Sequence, residues 1–149
     1  MRSSISSKSG PVPEFEELLE RNQIEGLQAV VQAVRGNDRE NKIAALEALD
    51  SVEHPDVFRI LGEALNDSDE RIRKAALNVL GDKNGPAVMP LLKVTFRDPA
   101  PSIRMEVIEA LADKGEFQAM TGALTDPDQR VREKAENLLE WARKRGKAK

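Results

Sequence analysis

Few residues of this sequence have the types and spacing that catalysis or metal binding requires. The chain has no Cys, which excludes thiolate nucleophiles, thiolate metal sites and disulfide bonds. The only His is His54, and no partner for it as a base or metal ligand can be read from the sequence. The acidic pairs Glu16/Glu17 and Asp69/Glu70 are adjacent, and adjacent helical residues point apart. We therefore expect no catalytic residue, no metal site and no bound cofactor.

The clearest chemical pattern is a recurring aspartate and arginine. Three segments share the pattern D-x-x-x-x-[IV]-R: NDSDERIRKAALNVL, RDPAPSIRMEVIEAL and TDPDQRVREKAENLL. Their aspartates, Asp67, Asp98 and Asp126, recur at intervals of 31 and 28 residues. Such intervals are typical of solenoid repeats in which one helix pair fills one period. An aspartate before a helix can accept backbone N–H bonds at the positive helix end, so the motif predicts a turn that leads into a helix.

Each repeat is predicted to contain two helices that position this motif. The second helix carries a one-sided apolar stripe, which in the first clear repeat is Ile72, Ala75, Ala76, Val79 and Leu80. Proline or glycine separates successive helices, and no segment alternates with a period of two, so no strand is predicted. A divergent repeat comes first, with Gly36, Asn41 and Lys42 at the motif positions. We therefore predict an all-α protein of about four helix pairs.

The two ends of the chain differ from its middle in composition. Residues 1–12 are rich in Ser, Gly and Pro and are predicted to be disordered, and they lack the apolar run of a secretory signal. Residues 143–149 form a basic tail with five basic residues and no acidic ones. The repeat domain predicted for 13–142 holds 26 acidic residues against 16 basic ones, a net charge of −10. Such a body repels a phosphate backbone, so we expect no nucleic-acid partner.

The basic tail and Trp141 each allow two interpretations. The tail lies near the end of the last predicted helix, where cations interact favourably with the helix dipole, and a solvated helix end explains it. Contact with an acidic partner, anionic lipid or nucleic acid is the alternative. Trp141 lies outside the apolar stripe of its helix, so it either covers the open end of the repeat series or anchors a partner.

The repeats resemble the HEAT repeat family, and most closely its PBS lyase HEAT-like branch. The resemblance rests on AL-x-D-x-D-x-x-[IV]-R-x-x-A, seen in ALNDSDERIRKAA and ALTDPDQRVREKA, and it covers about residues 24–142. It implies a right-handed α-solenoid, also called an α-α superhelix. It further implies a structural ladder between the motif arginines and aspartates, which are Arg73, Arg104, Arg132, Asp67, Asp98 and Asp126.

A solenoid has a concave groove that the second helix of each pair usually lines. Once the apolar stripe and the arginines are set aside, three columns of residues remain on these helices. The middle column includes Ile43 and Met105, which are apolar where solubility favours charge, and Met is a common contact at binding surfaces. We therefore expect a partner groove that includes Ile43, Arg71, Lys74, Asn78, Met105, Glu109 and Glu133.

The resemblance implies a protein–protein interaction or scaffolding module without enzymatic activity. A bilin-lyase-like accessory role is the alternative, because PBS-lyase-like repeats occur in bilin lyases, and a HEAT-like DNA-binding role is a less favoured one. The HEAT-repeat metal hydroxylases need paired His-Glu motifs, which a chain with one His cannot supply. No apolar run reaches the roughly 18–20 residues that cross a membrane. We expect a cytoplasmic monomer whose partner is another protein.

Overall fold

The computed structural model describes the backbone of residues 11–147 and the side chains of residues 14–147. Within this range every regular element is an α or 3₁₀ helix and no strand is present, which confirms the all-α prediction. The chain divides into two compact units, the first ending at Lys83 and the second starting at Asn84.

The first unit consists of a leading helix and two helix pairs. Its elements are α1 (Pro11–Arg21), α2 (Gln23–Val34), α3 (Arg39–Ala48), the 3₁₀ helix η1 (Leu49–Ser51), α4 (Asp56–Ala64) and α5 (Glu70–Gly81). Helix α1 packs against α2 and α3, α2 packs against α3 and α4, and α5 packs against α3 and α4. The predicted stripe residues Ile72, Ala76 and Leu80 have no exposed surface.

A glycine sets the distance between the first two helices. A Cβ atom at Gly26 would lie 2.7 Å from both the backbone N and the Cα of Leu19. Real Cβ atoms do not approach a backbone this closely, so α1 and α2 can pack in this way only because position 26 lacks a side chain.

Short polar side chains begin four of the helices. Each caps its helix by accepting a hydrogen bond of 2.8–3.2 Å from a backbone N–H two or three residues later. Such caps satisfy N–H groups that have no partner inside the helix. The caps of α2, α3, α5 and α8 are Asn22, Asp38, Asp69 and Asp128.

The second unit consists of two further pairs. Its elements are α6 (Val88–Thr95), α7 (Pro101–Asp113), the 3₁₀ helix η2 (Phe117–Thr125) and α8 (Gln129–Lys144). Helix α7 packs against α6, η2 and α8, and η2 packs against α8. The described residues therefore contain the four helix pairs that the repeat pattern predicts.

The first helix of the last pair is a 3₁₀ helix rather than an α helix. Its apolar spacing at Met120 and Leu124 matches that of the preceding repeats, so the sequence gives no warning of the change. The loop before it has three residues, whereas the loop before α6 has six. A 3₁₀ helix rises about 2.0 Å per residue against about 1.5 Å for an α helix, so the stretched element makes up part of the missing length.

Both predicted boundaries differ from the helix ends. Helix α1 begins at Pro11, inside the segment predicted to be disordered, and proline is favourable in the first turn of a helix. Residues 1–10 lie outside the described residues, so their disorder stays a prediction. Helix α8 continues to Lys144, two residues beyond the predicted domain end, because basic side chains are favourable at a helix C-terminus.

Candidate functional site

The three motif aspartates form the same local turn. Oδ1 of each accepts a hydrogen bond from the backbone N–H two residues later, at 2.8–2.9 Å. These N–H groups lie just ahead of α5, α7 and α8, so each aspartate fixes the chain direction where a second helix starts. The aspartates are Asp67, Asp98 and Asp126.

The three motif arginines also repeat one contact. Each donates a hydrogen bond from Nη1 to the backbone carbonyl of the motif aspartate six residues earlier. The distances are 2.9 Å for Arg73, 2.7 Å for Arg104 and 2.7 Å for Arg132. This contact satisfies a turn carbonyl and fixes the orientation of the guanidinium group, so each arginine first stabilises its own repeat.

The turns of Asp67 and Asp126 each bind a cation from the preceding repeat of the same unit. In the second unit, Arg104 donates from Nε and Nη2 to the two carboxylate oxygens of Asp126, at 2.8 and 2.9 Å. In the first unit, Lys42 donates from Nζ to Oδ2 of Asp67 at 2.7 Å. The hydrogen bond from Arg104 lowers the pKa of Asp126, which keeps this half-buried carboxylate ionised.

The sequence pattern did not predict the contact of Lys42, because the motif requires arginine at this position. The divergent first repeat has Lys42 where later repeats have Arg73, Arg104 and Arg132. A lysine retains the positive charge but donates to one carboxylate oxygen instead of two. A comparison that treated Lys and Arg as equivalent at this position would have identified the contact.

Lys83 is a second residue that the sequence reading missed. Its side chain is 2% exposed, and Nζ donates to the carbonyl oxygens of Asp50 and Val52 at 2.9 and 2.6 Å. It therefore joins the end of α5 to the segment around η1, one period earlier in the chain. The sequence feature that could have identified Lys83 is its recurrence: a second lysine, Lys114, follows one period later.

In the first unit, the predicted groove residues lie on α3 and α5. Arg71, Lys74 and Asn78 are exposed on α5, and Ile43 is half-buried on α3. Helices α3 and α5 are the second helices of consecutive pairs and pack against each other, so these residues lie on neighbouring helices.

A cavity of about 240 Å³ lies beside these residues and is lined by Glu47, Asp50, Asn78, Val79 and Asp82. Burial raises the pKa of Asp50, and a hydrogen bond with Asp82 and the charge of Asp82 raise it further, while the charge of Lys83 opposes them. This end of the α3/α5 face is therefore strongly acidic.

In the second unit, the predicted groove residues lie on α7 and α8. Met105 is half-buried, whereas Glu109 and Glu133 are exposed. Both carboxylates have basic or polar partners on α8, since Lys134 binds Glu109 and Gln129 donates to Glu133 at 2.7 Å. Met105 is thus the one apolar member of a charged helix face among the predicted groove residues of this unit.

A rival surface lies on the first helices of the first unit. A cavity of about 340 Å³ is lined by residues of α2 and α4, among them Ile24, Val31, Gln32, Arg35 and Arg59. Ile24 is 68% exposed. The charges at this cavity are paired, Arg35 with Glu63 at 2.8 Å and Arg59 with Asp56 at 3.4 Å, so they do not select a partner of either sign.

His54 and Trp141 have local partners. His54 Nδ1 accepts a hydrogen bond of 3.1 Å from the backbone N–H of Asp56, the first residue of α4. The Trp141 ring lies 6.3 Å from that of Phe117, and the guanidinium of Arg145 lies 4.6 Å from the Trp141 ring centroid. Trp141 is still 42% exposed, so it covers Phe117 while it keeps a solvent-facing edge.

The described part of the chain has neither a cluster of metal-ligating side chains nor a membrane-spanning helix. Between residues 14 and 147, no three His, Asp or Glu side chains are grouped as a metal ion would require. Among the helices that the structure describes, none combines the length and the apolar character of a membrane span.

Comparison with known proteins identifies the repeats. A family model described as HEAT repeats matches residues 27–112, which is more than half of the chain. The match runs from α2 to the end of α7 and therefore includes the divergent first repeat as well as two repeats that carry the motif. No curated protein matches the chain.

Proposed function

Because the chain belongs to the HEAT repeat family, we propose that it is a protein-interaction module whose second helices bind a segment of a partner protein. HEAT repeats generally mediate protein interaction or scaffolding, and the family is typically non-enzymatic. The partner surface proposed here is the exposed side of α3 and α5 in the first unit and of α7 and α8 in the second.

The observation that carries this proposal is a recurring apolar side chain on a charged face. Ile43 and Met105 are separated by two periods of 31 residues, and both are half-buried. Isolated apolar residues at a surface are common, but two at the same repeat position give each unit an apolar contact between charged ones. A partner segment that covers either residue gains hydrophobic contact, while the surrounding charges select its sequence.

The charge distribution supports the same surface. Many of the basic residues outside it are engaged in structural contacts, such as Arg104 with Asp126, Lys42 with Asp67 and Lys83 with two carbonyls. On α5, the basic residues Arg71 and Lys74 are both exposed. The face therefore offers cations towards the start of α5 and carboxylates at the acidic cavity near its end.

Photo-crosslinking from single positions tests the location of the surface. A photoreactive amino acid replaces Lys74 or Met105, and matched controls carry it at Gln32 or Lys93 on the first helices. We expect the same protein to be crosslinked from positions 74 and 105 and not from the controls. Capture from Gln32 alone would place the partner at the α2/α4 cavity and contradict the proposal.

Charge and size changes then test the contribution of the face. Met105→Glu and Lys74→Glu are expected to weaken capture of that protein about tenfold each, since each removes a contact of roughly 1–2 kcal/mol. Lys93→Glu is the control on a first helix. Unchanged capture by variants that melt at the wild-type temperature would show that the partner binds elsewhere.

The two alternative functions have direct tests on the same preparation. A bilin-lyase-like role requires a change in the visible absorbance of a linear tetrapyrrole when the protein is added. A DNA-binding role requires salt-dependent retardation of duplex DNA, because phosphate contacts release counterions. We expect neither, and the net charge of −10 over residues 13–142 is the reason in the case of DNA.

A further inference from the structure

Arg132 has the geometry of Arg104 but lacks its carboxylate. Both donate from Nη1 to the carbonyl of their own motif aspartate, and both distances are 2.7 Å. Arg104 uses its remaining edge, Nε and Nη2, to bind Asp126 of the next repeat. The other contact of Arg132 is also made by Nη1, to the carbonyl of Pro127 at 3.2 Å. Among residues 14–147, no carboxylate binds the Nε/Nη2 edge of Arg132.

That edge is already oriented for a bidentate ligand. The bonds from Nη1 fix the guanidinium plane, so little side-chain entropy remains to be lost when a carboxylate binds. Arg132 is half-buried, which excludes part of the solvent that would otherwise compete. In the same unit, the equivalent edge of Arg104 shows which chemical group fits, namely the side chain of an aspartate in a turn before a helix.

The helix that carries Arg132 is also incompletely covered. Leu139 is half-exposed, whereas the residues at the same repeat position, Leu80 and Leu111, have no exposed surface. At another position, Glu136 is exposed where Leu77 and Ile108 are buried. This face of α8 is therefore partly apolar and partly polar. Such a surface is typical of a reversible protein interface rather than of a permanently buried core.

We propose that Arg132 is a carboxylate-binding site for a partner protein that presents an aspartate in the turn before one of its helices. The partner's aspartate takes the place that Asp126 takes on Arg104, and its helix covers Leu139. Charge complementarity supports a carboxylate ligand, because the exposed Arg143 and Lys147 follow at the end of α8, where Lys144 is already paired with Glu140 at 3.3 Å. The site rests on the proposed function only in that the ligand is a protein, and it uses different residues.

A peptide with the sequence of residues 117–142 is a suitable probe, because it contains the turn aspartate Asp126 together with most of the helix that follows it. The full-length protein, labelled with ¹⁵N, is titrated with this peptide while the arginine Nε–Hε signals are followed. Arg132→Lys assigns the signal and removes the bidentate edge, and Arg130→Lys is the matched control. A second peptide carries Asn in place of Asp126.

We expect the Arg132 signal to shift with the Asp126 peptide, and the Asn peptide to bind about tenfold more weakly. Arg132→Lys is expected to cause a similar loss, and Arg130→Lys none. Equal binding of the two peptides, or no shift at the highest peptide concentration, would overturn the site. Self-association of the wild-type chain that Arg132→Lys abolishes would overturn the choice of partner and assign a second copy. None of these results affects crosslinking from positions 74 and 105, so the two proposals fail independently.

Discussion

Arg104 binds Asp126 through two hydrogen bonds and joins two consecutive repeats of the second unit. A third bond, from Nη1 to the carbonyl of Asp98, ties the same guanidinium to the turn before its own helix. The two side chains are only 11% and 9% exposed, so water competes weakly for either of them. Isolated surface ion pairs add little to stability, whereas a bidentate pair that also satisfies a backbone carbonyl adds more.

Arg104→Ala is expected to lower the free energy of unfolding by about 2–3 kcal/mol. The substitution removes the two arginine donors of the Asp126 carboxylate, which keeps only the backbone N–H of Asp128, and the side-chain donor of the Asp98 carbonyl. The Asp126 side chain is largely covered, so water replaces these donors poorly. Urea denaturation followed by circular dichroism measures the change. Arg104→Lys should recover part of the loss, because it restores the charge but not the second hydrogen bond.

Arg130→Ala is the matched control for this prediction. Arg130 binds Asp128 at 2.9 Å, but its side chain is 69% exposed, so no measurable loss is expected. If Arg104→Ala and Arg130→Ala lowered the free energy of unfolding equally, the contact between repeats would stabilise the fold no more than an exposed ion pair does.

Acid is expected to destabilise the protein between about pH 5 and pH 2. Hydrogen bonds from Arg104 lower the pKa of the largely covered Asp126. Hydrogen bonds from the side chain and backbone of Arg130 lower the pKa of Asp128 to about 2, but Arg130 is largely exposed, so solvent screens that contact and Asp126 carries most of the effect. A carboxyl group whose pKa is lower in the folded protein stabilises the fold above its unfolded value, near 3.9, and loses this contribution as the pH falls through the folded value.

Urea midpoints measured at half-unit steps of pH test this expectation. The fall in stability should be shallower in Arg104→Ala, because that variant has already lost the contact that lowers the pKa of Asp126. If the urea midpoint of the wild-type protein stayed constant from pH 5 to pH 3, the predicted loss of stability in acid would be wrong.

The repeat pattern predicted the helix pairs and the motif turns because it reports local chemistry. Asp67, Asp98 and Asp126 each bond to a backbone N–H only two residues away, so spacing alone determines the contact. The apolar stripe likewise predicted burial, as at Ile72 and Ile103, both without exposed surface.

Contacts between repeats were harder to predict from the sequence. The Lys42–Asp67 and Lys83–Val52 contacts join residues 25 and 31 positions apart, and each lysine alone resembles an ordinary surface residue. The 3₁₀ helix at Phe117–Thr125 has the same apolar spacing as the α helices at that position in earlier repeats, so hydrophobic spacing does not distinguish the two. The location of a partner on α3, α5, α7 and α8 stays a prediction, since it depends on a molecule outside the chain.

Asp50→Asn is expected to stabilise the protein at pH 7.5. Burial and the neighbouring Asp82 raise the pKa of Asp50, so its ionised form is less favourable in the folded chain than in the unfolded one. The sign is opposite to that of Asp126, because a raised pKa favours folding at low pH and loses that contribution as the pH rises through the folded value. The gain from Asn should therefore disappear below about pH 4, close to the ordinary pKa of aspartate.

The comparison with Asp82 tests the cause. If the two carboxylates repel each other, Asp50→Asn and Asp82→Asn should each stabilise, and the double variant should gain less than their sum. A loss of stability in Asp50→Asn at pH 7.5 would mean that attraction to Lys83 outweighs burial and repulsion, and would refute the expected sign.

Gly26→Ala is expected to destabilise the first unit by about 3 kcal/mol. The added methyl group would lie 2.7 Å from the backbone of Leu19, and the helices must separate to accommodate it. Because α1 also packs against α3, the separation would loosen both contacts of the leading helix. Thermal melting and hydrogen exchange of the α1 amides measure the effect, and exchange should increase in α1 first.

Gly122→Ala is the matched control for the same chemical change. A Cβ at Gly122 would have no atom within 4 Å, and its backbone does not have a positive φ. Alanine at this position reduces the conformational freedom of the unfolded chain. The free energy of unfolding of the variant should therefore be unchanged or higher by roughly 0.5–1 kcal/mol. If both variants melted at the same temperature, the close approach of α1 and α2 at Gly26 would have no energetic consequence, and the packing of the leading helix on α2 would be looser than the Leu19 distance requires.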